Sequence, residues 1–127
     1  KSTISLSEEQ ARSEYIQNMK DSDFVLAPKG DANYSVRFFE ALSLGRIPVL
    51  IDTETCLPFE DRIDYSKCMI RVSYKDIKKL PEIIAETYAR LSNEEFFAMQ
   101  KAARETFERY LRYDSFFNTI FKEIKGL

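Results

Sequence analysis

Arg37 and Glu40, three residues apart in the run SVRFFE over residues 35–40, are the side chains here whose types and spacing best suit chemistry. Ser35 is a good N-cap, so the helix it opens starts at Val36 and puts Arg37 in its first turn. There the positive end of the helix dipole opposes a cation by about 0.3–1 kcal/mol. Glu40 shares a face with Arg37, but a stabilising surface pair would run the other way, with the acid nearer the N-terminus. An anion bound ahead of the helix would remedy the misplaced arginine, and a carboxylate beside it could accept hydrogen bonds from ribose hydroxyls. The plainer alternative is a solvated Arg–Glu pair, and local chemistry alone weighs the two evenly.

The elements around this pair must position it. Residues 24–28 are a short apolar run that reads as a buried strand, and 29–34 are a polar loop containing Gly30. After the helix, Gly45 stands where a left-handed residue ends one, and only Arg46 separates it from an apolar strand at 47–52. A loop at the carboxyl end of a parallel strand, followed by a helix N-terminus, is where α/β folds hold phosphates. The amides of Gly30 to Ser35, the Ser35 hydroxyl, Lys29 and Arg37 would then face an anion, with Asn33 and Tyr34 beside a base or sugar. Four of these have a plainer role that is at least as good. Gly30 and Asn33 suit a turn, Tyr34 suits a hydrophobic staple, and Lys29 is exposed by default.

The stretch APKGDANYSVRFFEALSLGRIPVLID at 27–52, followed by LPFED at 57–61 and IDYSK at 63–67, resembles the exostosin-type glycosyltransferases. The resemblance is strong from Asp21 to about Leu80 and looser over the helical remainder. It implies two Rossmann-like domains facing a cleft, the GT-B arrangement, with this chain similar to the latter part of the C-terminal, donor-holding domain. It implies that Glu40 receives the ribose hydroxyls. It also implies a nucleotide-sugar donor, a UDP-sugar in expectation, and inverting transfer of a hexosyl or glycuronosyl unit to a glycan acceptor. No metal or other cofactor is required in that arrangement, and the catalytic base is expected from the other domain. Among the carboxylates here, Asp31, Asp52, Glu54, Glu60, Asp61 and Asp64 are available, and none is singled out.

Composition sets the outer bounds. With 127 residues, 44% hydrophobic and 31% charged, the chain is long enough for one domain with a real core, or for a fragment of one. A net charge of −2 without a basic stripe argues against nucleic acid as the main partner. No apolar run approaches the roughly 20 residues that a membrane span needs. These residues specify no compartment, and with no anchor visible the expectation leans to the cytoplasm. No histidine occurs, which removes His-based triads and Cys/His metal sites. Cys56 is expected in a loop and Cys68 in a strand, both as free thiols.

Further along, Ser7 with Gln10 forms a capping-box signal for a helix to about Lys20, with Ala11, Tyr15 and Met19 on one side. A third strand is expected at 68–73, parallel to the others because the connections are long. The C-terminal region, about 81–125, reads as helices. Leu80, Ile83, Ile84, Thr87, Tyr88 and Leu91 form an inward stripe, and Ser92 with Glu95 caps a helix running to about Arg112. Phe116, Phe117, Ile120, Phe121 and Ile124 continue an aromatic face, read as core or as a contact between domains. Three parallel strands are fewer than a Rossmann-like sheet carries, so further strands and a second domain are expected upstream of Lys1.

The fold expectation is thus a Rossmann-like three-layer α/β domain, with this piece alone inactive. Only Gly30, Gly45 and Gly126 occur, so neither a dinucleotide G-x-G-x-x-G turn nor a P-loop is present. The competing reading is a non-catalytic Rossmann-like binding or interaction module, distinguishable by absent nucleotide affinity in the full-length protein.

Overall fold

The computed structural model describes residues 7–28, 36–54 and 56–126. Helix α1 (Glu8–Lys20) opens on the expected capping box, Ser7 Oγ accepting from the Gln10 amide while the Gln10 side chain accepts from the Ser7 amide. Strand β1 (Phe24–Ala27) follows, then α2 (Val36–Ser43), β2 (Ile47–Asp52) and β3 (Ile70–Ser73). The strands form one parallel sheet in the order β1-β2-β3, with Phe24 opposite Ile47 and Val49 opposite Ile70. Pro48 is tolerated in the middle strand because pairing with β3 begins only at Val49.

Alternation along β1 separates two layers. Val25 and Ala27 point to the side of α2, where they are buried with Ala41, Phe38 and Leu42. Phe24 points the other way, its ring 5.8 Å from those of Tyr88 and Phe96. Tyr88 belongs to α3 (Leu80–Arg90) and Phe96 to α4 (Asn93–Thr106), so helices cover both faces, as expected. β2 is buried from Ile47 to Ile51, as an unbroken apolar run in a strand covered on both faces should be.

Helix α2 ends as Gly45 implied. Gly45 has φ +66°, its amide donates to the Leu42 carbonyl, and the Arg46 amide reaches back to that of Ala41. This is the Schellman pattern, and it delivers the chain into β2 within one residue.

Three expectations need correction. Cys68 is buried, but not in a strand. It closes a short 3-10 turn (Tyr65–Lys67), its amide bonded to the Tyr65 carbonyl, so β3 starts two residues later than expected. The helix expected to run to Arg112 is α-helical only to Thr106, and a π-turn (Phe107–Leu111) follows before α5 (Tyr113–Lys125). The apolar stripe of α3 is also less covered than its spacing suggests, and that of α5, read as core or as a contact between domains, is not core among the described residues. Neither helix has a fully buried residue, and Tyr88, Phe117, Phe121 and Ile124 are exposed.

Candidate functional site

Helix α2 presents Arg37 and Glu40 towards α1, with Ala41 packed on that same side, while Phe38 and Leu42 point into the main core. Arg37 and Glu40 are joined through a third residue. Tyr15 Oη donates to Glu40 Oε1 at 2.7 Å and accepts from Arg37 Nε at 3.3 Å. The Arg37 guanidinium also lies over the Tyr15 ring, 5.0 Å from its centroid, within reach of a cation–π contact. Glu40 Oε2 takes a charge-assisted bond from Arg12 at 3.1 Å, and the Arg12 guanidinium is 5.6 Å from the same ring.

The result is one carboxylate and two guanidiniums gathered around one phenol, with an excess of one positive charge. Tyr15 is half-buried and packs against Met19, Val25 and Ala41, so the core fixes its ring. Arg37 further lines a cleft of about 230 Å³ with Tyr15, Asn18, Met19, Ser22 and the edge of β1 at Phe24–Leu26. Sequence periodicity placed Tyr15 on one side of α1 with Ala11 and Met19, which fits the packing of its ring beside Met19 and is silent on its hydroxyl. Arg12 gave no signal, since its partner lies 28 positions away.

Of the residues singled out from sequence, Lys29, Gly30, Asn33, Tyr34 and Ser35 lie outside the described residues, as does Asp31. Several other acids hold local structure. Glu60 accepts from the Leu57 amide at 2.7 Å and from Arg71 at 3.0 Å, and these two bonds lower its pKa, the backbone one most. Arg71 also pairs with Asp52 at 3.4 Å, tying the end of β2 to β3 and the loop. Asp64 caps the 3-10 turn through the Ser66 amide and hydroxyl, and the hydroxyl contributes most to its lowered pKa. Glu54 and Asp61 are exposed, Glu54 with φ +64°. Among the described residues no group of three His, Cys, Asp or Glu is placed to hold a metal ion.

Comparison with known proteins shows the family to which the sequence is related. Residues 2–87 match the Exostosin GT47 domain, a span that includes α1, β1, α2, β2 and β3. The chain is 34% identical over 122 residues to the Exostosin-1 homolog of Caenorhabditis elegans, covering 92% of this chain and 31% of that protein. It is 34% identical over 99 residues to Exostosin-1 of Drosophila melanogaster, covering 78% and 12%. To a rice (Oryza sativa subsp. japonica) protein named "Probable glucuronosyltransferase" it is 39% identical over 70 residues, covering 55% and 17%. The chain thus spans less than a third of each of these relatives. The matched domain takes in both helices that build the Tyr15 cluster, and the chain belongs to the exostosin GT47 family.

Proposed function

We propose that this chain forms the donor side of a glycosyltransferase, binding a nucleotide-sugar, a UDP-sugar in the first instance, for transfer to a glycan acceptor. The observation that carries the reading is the state of Arg37. Its Nε is engaged by Tyr15 Oη, while its two terminal nitrogens have no hydrogen-bond partner among the described residues. A guanidinium held by its inner edge presents its outer fork, and that fork matches two phosphate oxygens. The family gives the second support, because proteins named as exostosins and glucuronosyltransferases share this segment.

The chemistry asked of this side is limited. The leaving nucleoside diphosphate gathers negative charge as the sugar departs, and a fixed cation at a helix N-terminus stabilises that charge. Glu40, one turn deeper, keeps acceptor capacity beyond the bonds from Tyr15 and Arg12 and takes the ribose hydroxyls. The cleft beside Arg37, about 230 Å³, is below the roughly 300–1,000 Å³ of ordinary ligand pockets. The described residues therefore make one wall of the site.

A second reading also has an observation behind it. Both oxygens of Glu40 already have partners on α1, as a purely structural clasp between α1 and α2 would require. Titration of UDP onto the full-length protein separates the two. Arg37→Ala should weaken binding by about 1.5–3 kcal/mol, the loss of one charge-assisted contact. Unchanged affinity would leave only the clasp.

A further inference from the structure

We infer that Tyr15 is a positioning residue of the donor site, which sets through its single hydroxyl where both the phosphate-binding Arg37 and the ribose-binding Glu40 point. The inference rests on the donor-side reading above and adds to it a residue outside the strand-loop-helix unit.

The argument begins with what a phenol can do. It has one proton to give and lone pairs to accept with. Here the proton goes to Glu40 Oε1 at 2.7 Å, and a lone pair receives Arg37 Nε–H at 3.3 Å. Both partners are charged; the bond to Glu40 has the short length of the stronger class, and the one from Arg37, at 3.3 Å, is the longer and weaker of the two. The two bonds also run in one direction, from guanidinium to phenol to carboxylate, so each polarises the other favourably. Tyr15 itself has little freedom. Its ring packs against Met19, Val25 and Ala41, and the Arg37 guanidinium lies above it.

Without Tyr15, Arg37 has no evident anchor among the described residues. It is exposed, in the first turn of an eight-residue helix, and a long flexible side chain there would lose rotamer freedom on gripping a phosphate. Tyr15 meets that cost in advance by holding the inner nitrogen, while the outer fork has no partner among the described residues. Arg12 plays a smaller part, since it holds only Glu40 and is itself well exposed.

The test is a double-mutant cycle on the full-length protein, read as UDP affinity by calorimetry and as the donor KM in sugar transfer. Tyr15→Phe keeps the ring and its packing and removes both bonds. It should weaken UDP binding about tenfold, raise the donor KM in step, and leave the acceptor KM and the melting temperature nearly unchanged. In the Arg37→Ala background the same change should cost no more than about threefold, because only the Glu40 bond remains to lose. A full tenfold loss on both backgrounds would assign Tyr15 a role that does not pass through Arg37 and would overturn the inference. So would an unchanged UDP affinity in Tyr15→Phe while Arg37→Ala is impaired, an outcome that leaves the donor-side reading standing. If Arg37→Ala itself binds UDP normally, the donor-side reading falls and this inference with it.

Discussion

Burial separates the two thiols of the chain. Cys56 is exposed and Cys68 is fully buried beneath the 3-10 turn, its Sγ 3.6 Å from the Tyr65 carbonyl. Loss of solvent pushes the Cys68 thiol up to about 11, with a smaller contribution from Asp64 in the same direction. A thiol-reactive dye at pH 8 should label one cysteine in the native chain and two in denaturant. Rapid labelling of both without denaturant would contradict this packing. The sign of the linkage follows from a folded pKa raised above the ordinary 9.0. The stability contribution of the neutral thiol is complete below about pH 9 and declines as the pH rises towards 11, because the unfolded chain deprotonates first. Sequence shows such single-residue facts unevenly. Arg37 and Glu40 stood out because a cation in a first turn breaks a local rule that three neighbouring residues reveal. Tyr15 did not, because its hydroxyl finds partners 22 and 25 positions away, and no periodicity encodes that contact. The expected participation of Lys29, Gly30, Asn33, Tyr34 and Ser35 falls outside the described residues.

Gly45 shows what an element boundary costs when its residue is wrong. Its φ of +66° is one that residues with a Cβ adopt reluctantly. A Cβ added there would meet Arg104 Cβ and the Gln100 carbonyl at 3.6 Å, ordinary contact distances, so the penalty would be in the backbone alone. Gly45→Ala should destabilise by about 1–2 kcal/mol, seen as a lower denaturation midpoint at unchanged slope. Gly45→Asn should cost less, because its short polar side chain tolerates the left-handed region. Equal losses for both would point to steric conflict. Such boundaries were legible because caps and stops are local chemistry, as with Ser7 and Gln10, Ser92 and Glu95, and Gly45. Two others depended on what surrounds them. Cys68 and Met69 look like the start of a strand, yet their amides bond the Tyr65 carbonyl and complete the turn first. The α4 pattern continues smoothly into Phe107–Leu111, where the Arg112 amide bonds the Phe107 carbonyl at 2.7 Å in a π-turn. Helical spacing also overstated the burial of α3, since an apolar stripe reports what could be covered and not what covers it.

At the scale of the whole molecule, the consequence concerns where transfer chemistry resides. A glycosyl transfer needs donor, acceptor and base held together within bonding geometry. Of these, this chain is proposed to supply only the donor side, through Arg37, Glu40 and Tyr15. Asp52 at the end of β2 and Glu60 in the loop after it are occupied by Arg71, and Asp64 by its turn. The chain also spans less than a third of the relatives it matches, and β1 leaves Leu26 43% exposed on the face opposite α2. The 127 residues assayed alone, with a panel of UDP-sugars and glycan acceptors, should therefore release no nucleoside diphosphate above the spontaneous rate. The same chain should still show a weak, salt-sensitive response to UDP, because the Tyr15-Arg37-Glu40 link lies wholly within it and phosphate contacts at an exposed arginine are screened. Turnover by this piece would place the base among its own carboxylates. Glu54, exposed beyond β2, and Asp31, which lies outside the described residues, would then be the first to replace.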